Sequence, residues 1–276
     1  MDSQPTLADG LRRAVLDYLE IDRQKAPNPF FLETLITAYT RRVPWESAFR
    51  IAKRAKTRET IDCPRWPDEF WTDAIEKGGG GTCFESNYAF FALLSTLGYR
   101  GYLTINDMGD SAGCHAAIVL HMVEGLCLAD VGLPIYIPLP MSRSDKTSRS
   151  SPFHTYIVTP MASDRYQVDR DRHPKSNCYT LVNRPVTEDQ FRRAIINDYS
   201  PGGLFLNRVI ISKVIGEHVW RFNSEERPFH LERFINGAME TQELPDDPGE
   251  ISAVISEVFS IDEETFYTAL LQTITI

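Results

Sequence analysis

Cys83, His115 and Asp130 are the residues whose types could carry out covalent chemistry together. A nucleophilic thiol needs a base to take its proton and a third group to fix that base. Cys83 lies in Gly78-Gly79-Gly80-Gly81-Thr82-Cys83-Phe84-Glu85-Ser86-Asn87, where four glycines lead into an apolar helix expected from Phe84 to Leu97. Glycines let the backbone turn sharply and approach a ligand closely. A helix start presents unpaired N–H groups and a positive dipole end, which favour a thiolate. Thr82-x-x-Glu85 also fits a capping box, with Thr82 as N-cap and Cys83 as the first helical residue. Taken alone, a cysteine in this setting is more often inert than reactive.

Six histidines compete for the role of base. His115 opens a strand expected from Ala116 to Met122, and Asp130 closes one from Leu126 to Asp130, with a turn around Glu124-Gly125 between them. Side chains alternate faces along a strand, so register decides whether the two residues meet. A two-residue turn at Glu124-Gly125 sets His115 opposite Pro134 and puts His115 and Asp130 on one face. A three-residue turn separates them, and the sequence allows both. His121 shares the parity of His115 and is a rival base, whereas His154, His173, His218 and His230 have no comparable acid partner in a paired strand. Alone, His115 also reads as an ordinary strand-end histidine and Asp130 as a turn residue before Gly132. Cys114, His115, His121 and Cys127 could be grouped as a metal cluster, but their spacings match no zinc pattern.

The elements that must position these residues divide the chain in three. Helical spacing runs through Leu7, Leu11, Val15, Tyr18 and Leu19, and again through Phe31, Leu35, Ile36 and Tyr39. Pro44 can open a third helix through Trp45, Ala48, Phe49 and Ala52. The basic stretch from Arg50 to Arg58 reads as a solvated helix face, with a site for an anionic group as the functional alternative. From Tyr99 onward, short strands follow at Tyr102–Ile105, Ala116–Met122, Leu126–Asp130, Tyr156–Thr159 and Tyr179–Val182. The polar segment from Met141 to Pro152 reads as a mobile surface loop. A capping box at Thr187-x-x-Gln190 opens a helix to about Ile196. Strands are then expected around Phe205–Ile211 and His218–Phe222, and helices through Ile251–Phe259 and Phe266–Leu271. The expected units are residues 1–97, helical and carrying the nucleophile on the last helix; 98–197, barrel-like and carrying His115 and Asp130; and 198–276, an α/β unit.

Composition bounds the function. The chain has 276 residues, 42% of them hydrophobic, enough for real cores. Its net charge of −9 argues against nonspecific binding to nucleic acid or an anionic membrane, both polyanions, so a small partner is expected. The start Met1-Asp2-Ser3-Gln4-Pro5 shows no basic-then-apolar leader, and no apolar run is long enough to span a membrane. The five cysteines are widely spaced with no C-x-x-C, so reduced thiols and a cytoplasmic location are expected.

These residues resemble the arylamine N-acetyltransferase family. The match runs through Gly80-Gly81-Thr82-Cys83-Phe84-Glu85-Ser86-Asn87, then Cys114-His115-Ala116-Ala117-Ile118-Val119-Leu120, then Leu128-Ala129-Asp130-Val131-Gly132-Leu133. Upstream, Phe31-Leu32-Glu33-Thr34-Leu35 and Val43-Pro44-Trp45-Glu46-Ser47 look like further family segments. The resemblance is strong over residues 31 to 140 and weak in the last third. It implies an α+β fold: an N-terminal helical bundle, a central antiparallel β-barrel-like domain and a C-terminal α/β lid, built on a papain-like cysteine transferase core. It also implies ping-pong transfer of an acyl group from acetyl-CoA or another acyl-CoA, a co-substrate rather than a bound cofactor, through a Cys83 thioester to a small amine, with His115 as base and Asp130 orienting it. Two positions depart from the family pattern. Gly79 stands where the family has arginine, and Ser47 where it has asparagine, which implies a rearranged support around the site. Two other functions fit the same residues: an amide synthase using longer acyl thioesters, and a non-catalytic binding protein of this fold.

Overall fold

The computed structural model describes residues 4–22, 26–173, 176–235 and 238–274; the first three residues of the N-terminal segment read above lie outside it. The chain begins with α1 (Asp9–Tyr18), α2 (Pro29–Arg42), a two-residue strand β1 (Trp45–Glu46), α3 (Ala48–Lys56), α4 (Pro67–Lys77) and α5 (Cys83–Thr96). It continues through β2 (Gly101–Met108), β3 (Ser111–Met122), β4 (Gly125–Ala129), β5 (Leu139–Met141), β6 (Thr147–Ser150), β7 (Thr155–Pro160), β8 (Arg165–Arg170) and β9 (Asn177–Val182). After α6 (Glu188–Asp198) come β10 (Ile210–Ile215), β11 (His218–Asn223), β12 (His230–Ile235), β13 (Ala238–Glu243), α7 (Pro248–Phe259) and α8 (Glu263–Ile274). The fold is α+β, as expected.

Helix α5 runs through the first core. Every residue from Cys83 to Leu94 is buried, and beyond the polar Glu85, Ser86 and Asn87 of its first turns this stretch is apolar all round, as one inside a core must be. Leu32, Leu35 and Ile36 of α2 and Phe70 and Trp71 of α4 pack into the same core, where Trp71 Nε1 donates to the Ala89 carbonyl at 3.0 Å. Strands β2 to β9 form one antiparallel sheet in the order β5-β4-β3-β2-β9-β8-β7-β6. Its two ends are tied where Thr147 Oγ1 donates to Pro140 O at 2.6 Å and Arg149 Nη1 to Pro138 O at 2.9 Å, making a nearly closed barrel. A second sheet, β1-β10-β11-β12-β13, is covered by α3, α7 and α8 around Phe49, Phe222, Ile255 and Phe266.

Three expectations need correction. Pro44 opens no helix: Trp45 and Glu46 pair with Ser212 and Ile211 of β10, so helical geometry begins only at Ala48. The segment from Met141 to Pro152 is not all loop, because Thr147–Ser150 forms β6 and pairs with β7 in a half-exposed pattern. The strand expected from Phe205 begins instead at Ile210; Phe205 has φ 59 and turns its ring against Trp45. Among the described residues, no helix is long and apolar enough to cross a membrane.

Candidate active site

Cys83 is the first residue of α5 and only 8% exposed. The segment that delivers it is tied residue by residue. The Gly80 N–H donates to Glu46 Oε1 at 3.1 Å, and a Cβ there would fall 1.8 Å from the Pro44 carbonyl oxygen, so only glycine fits. The Gly81 carbonyl accepts from Ser86 Oγ at 3.0 Å and from the Glu46 N–H at 3.3 Å. Thr82 Oγ1 accepts from Arg50 Nη1 at 2.7 Å. Thr82 is therefore the N-cap, as expected, but the capping box does not form: its hydroxyl serves Arg50, and Glu85 serves Arg65 and Tyr199. Buried cations outcompete helix N–H groups for these oxygens, since charge-assisted bonds are the stronger ones.

The hairpin of β3 and β4 decides the second half of the site. Met122 pairs with Gly125 and Ile118 with Ala129, so the turn is two residues long but is Val123-Glu124, one residue earlier than expected. This slides the partner strand by two positions and leaves face parity unchanged, so His115 and Asp130 share a face. His115 Nε2 and Asp130 Oδ2 lie 2.7 Å apart, and both residues are buried. The remaining carboxylate oxygen, Oδ1, accepts from Asn87 Nδ2 at 2.9 Å, from the Gly132 N–H at 2.9 Å and from the Leu133 N–H at 3.1 Å. Burial alone would raise the Asp130 pKa; the His115 charge and these donors hold it below the usual carboxylate range. Burial also opposes a charged His115, but Asp130 and the neighbouring Cys83 sulfur overturn that and raise its pKa to about 10.

The loop after Asp130 closes over the thiol. A Cβ on Gly132 would lie 2.4 Å from Cys83 Cα and 2.6 Å from Asn87 Nδ2. Asn87, one helical turn beyond Cys83, also donates to Ala116 O at 2.7 Å and accepts from the Val131 N–H at 3.1 Å. It joins α5, β3 and the loop after β4, a role the sequence reading did not assign, although its position four residues after Cys83 places it on the same helix face. Tyr179 of β9 packs its ring 4.4 Å from that of His115, which limits the orientations of the imidazole. His121, the rival base, is exposed and packs on Tyr102. Cys114 and Cys127 are not drawn into the site by their side chains, which turn toward the carbonyls of Ser111 and Leu128. All five cysteines are unpaired.

The basic stretch also needs correction at its first member. Arg50 is 1% exposed, ion-paired with Asp198 at 2.6 Å and stacked on the Tyr199 ring at 4.6 Å, whereas Lys53 pairs with Glu69 on the surface as a solvated face would. Arg65, not singled out from the sequence, is also buried. Its Nη2 donates to Glu85 Oε2 at 2.7 Å and to Gly80 O at 2.6 Å, and Glu46 Oε1 lies 3.8 Å away. Burial disfavours the charge on Glu85, but Arg65 and the Tyr199 hydroxyl hold its pKa down; Glu46, farther from Arg65, has its pKa raised by burial. Arg65 lies in Cys63-Pro64-Arg65-Trp66-Pro67, where the prolines mark an irregular segment and no periodic pattern predicts burial.

The profile of the N-acetyltransferase family matches residues 31–266. The chain belongs to this family, as its resemblance to the arylamine N-acetyltransferases implies, and is an acyltransferase. The fold agrees with solved structures. Arylamine N-acetyltransferase from Salmonella typhimurium superposes with TM-score 0.79 at 16% identity, over 96% of this chain and 99% of that one. The Mycobacterium marinum enzyme in complex with CoA gives 0.78 at 16% identity, over 94% and 97%. A Bacillus cereus arylamine N-acetyltransferase described by its Cys-His-Glu catalytic triad gives 0.74 at 17% identity, over 93% and 100%. Among curated proteins, none matches the sequence.

Proposed function

We propose that this N-acetyltransferase family member uses Cys83 as the acyl carrier, His115 as its base and Asp130 as the orienting acid, transferring an acetyl or other acyl group from an acyl-CoA to a small amine. The observation that carries this reading is the 2.7 Å His115–Asp130 contact beside a thiol at a helix start. In the first half-reaction the Cys83 sulfur attacks the thioester carbonyl, the C–S bond to CoA breaks, and the CoA sulfur leaves with a proton from the His115 imidazolium. In the second, the amine nitrogen attacks the Cys83 thioester, His115 takes the amine proton, and the thiolate leaves.

The electrostatics suit both halves. Against the opposing effect of burial, Asp130 and, to a lesser extent, the Cys83 sulfur hold His115 as imidazolium in the free enzyme. Acylation takes away the sulfur's share, so the His115 pKa falls and the neutral imidazole needed to deprotonate an amine becomes accessible. Unpaired N–H groups at the start of α5 are candidate donors to the tetrahedral oxyanion. The M. marinum structure with CoA supports an acyl-CoA as the donor. In this reading residues 1–97 supply the nucleophile, 98–197 the base and acid, and 198–276 the lid, in a reducing cytoplasm that keeps the thiol free.

Steady-state kinetics with acetyl-CoA and a panel of arylamines and hydrazines test the proposal. Double-reciprocal plots should be parallel, as a covalent carrier requires. Intersecting lines would point to direct transfer in a ternary complex. Turnover of bulky acyl thioesters but not acetyl-CoA would select the amide synthase reading.

A further inference from the structure

Arg65 grips the chain on both sides of Cys83. Its Nη2 donates to the carbonyl of Gly80, three residues before the thiol, at 2.6 Å, and to Oε2 of Glu85, two residues after it, at 2.7 Å. The Arg65 N–H donates to the other Glu85 oxygen at 2.9 Å, and Nη1 reaches Asp73 Oδ2 at 3.5 Å. That same Glu85 oxygen, Oε1, also accepts from the Tyr199 hydroxyl at 2.5 Å. One side chain thus fixes the entering segment against the first turn of α5.

We infer that Arg65 is the positioning residue for the nucleophile, holding the Gly80 carbonyl and Glu85 in register so that the Cys83 sulfur faces His115. This rests on reading Cys83 as the acyl carrier. Burying a guanidinium and two carboxylates is a costly way to gain stability, because apolar side chains of similar volume commonly do as well or better. What they cannot do is bond a carbonyl and a carboxylate at once: Nη2 holds both while Nη1 reaches toward Asp73, a spread over three partners that a single lysine ammonium on a flexible stem does not reproduce. The slot is shaped for this residue: the guanidinium carbon lies 5.2 Å from the centre of the Phe49 ring and 5.5 Å from that of Phe70. A Cβ on Gly79 would fall 2.8 Å from that same Phe49 ring, so any side chain at 79 must displace the ring that packs on Arg65.

The test compares Arg65→Lys and Arg65→Met with Leu270→Ala, which weakens the core under the second sheet and alters none of the residues that Arg65 bonds. Each is measured for Tm, for the rate of Cys83 acylation by acetyl-CoA, and for the rate of Cys83 labelling by iodoacetamide against pH, read by peptide mass. Arg65→Met should slow acylation about ten-fold or more, equivalent to about 1.4 kcal/mol of barrier, and displace the labelling profile; Arg65→Lys should recover part of both. Leu270→Ala, at a similar loss of Tm, should react as the wild type does. Folded Arg65 variants with wild-type rates and profile would overturn the inference. If neither variant folds, Tyr199→Phe, which deletes only the hydroxyl behind Glu85, should slow acylation several-fold, and an unchanged rate would overturn it. If the wild type itself takes no acetyl group, the acyl-transfer reading fails, while the iodoacetamide profiles still judge Arg65.

Discussion

Asn87 Nδ2 donates to Asp130 Oδ1 at 2.9 Å, which binds the helix bearing Cys83 to the carboxylate paired with His115. Cys83 and Asp130 lie on elements separated by a strand and a hairpin, and one buried amide ties them together. Asn87→Ala leaves a buried carboxylate one donor short, a loss of about 1.5–3 kcal/mol for a bond to a charged group. Tm should fall, and kcat/KM with p-nitrophenyl acetate should drop by roughly 10- to 100-fold. Wild-type kinetics in this variant would show that Asn87 does not hold the site.

Asp130→Asn keeps the shape of the site but removes the charge that raises the His115 pKa. The acylation rate should fall by roughly 10²–10⁴, the range of a positioned acid–base group. His115→Gln should cost at least as much, and His121→Gln nothing measurable, since His121 is exposed away from the thiol. Single-turnover measurements with acetyl-CoA distinguish these outcomes; an inactive His121 variant would show that the base has been misassigned.

The same pair sets a pH dependence of stability. The folded pKa of His115 is about 10, above its unfolded value of about 6.5, so its contribution is complete below pH 6.5 and lost as pH rises through 10. Asp130 has the opposite sign: its folded pKa is depressed, so its contribution holds above the unfolded value of about 3.9 and is lost as pH falls through the folded one. The Tm difference between wild type and His115→Gln should therefore shrink between pH 8 and pH 10.5. A difference that stays constant across that range contradicts a charged His115–Asp130 pair.

Two glycine substitutions should act in opposite directions. Gly132→Ala forces a Cβ to within 2.4 Å of Cys83 Cα, so backbone must shift at the nucleophile, with about 1–3 kcal/mol of destabilisation and loss of acylation. Gly10, in the first turn of α1, has nothing within 4 Å of its Cβ position, so Gly10→Ala should stabilise by up to about 0.5–1 kcal/mol with activity intact. Thermal melts of the two proteins decide the matter, and a neutral Gly132→Ala would mean that the 130–133 loop does not press on the thiol.

Much of the site was legible because each part sits in a local pattern. Glycines before a helix mark Cys83, and strand alternation puts His115 and Asp130 on one face for a two-residue turn, which the sequence left open against a three-residue one; the observed slip of two positions keeps that parity. The capping box at Thr187 and Gln190 forms as read, since nothing on that exposed helix end competes for it. The one at Thr82 and Glu85 fails because Arg50 and Arg65 enter from elsewhere. Those arginines were opaque for the same reason: Arg50 meets Asp198 across 148 residues, and no periodicity encodes such a partner. The strand Trp45–Glu46 is too short to show alternation, and its partner β10 lies far along the chain.

Intact-mass measurement after brief mixing with acetyl-CoA, in the absence of an amine, is the decisive experiment for Cys83 as the acyl carrier. A gain of one acetyl group is expected, mapped to Cys83, absent in Cys83→Ser and discharged when an acceptor amine is added. An enzyme that acetylates amines while Cys83 never carries the acyl group would contradict that role.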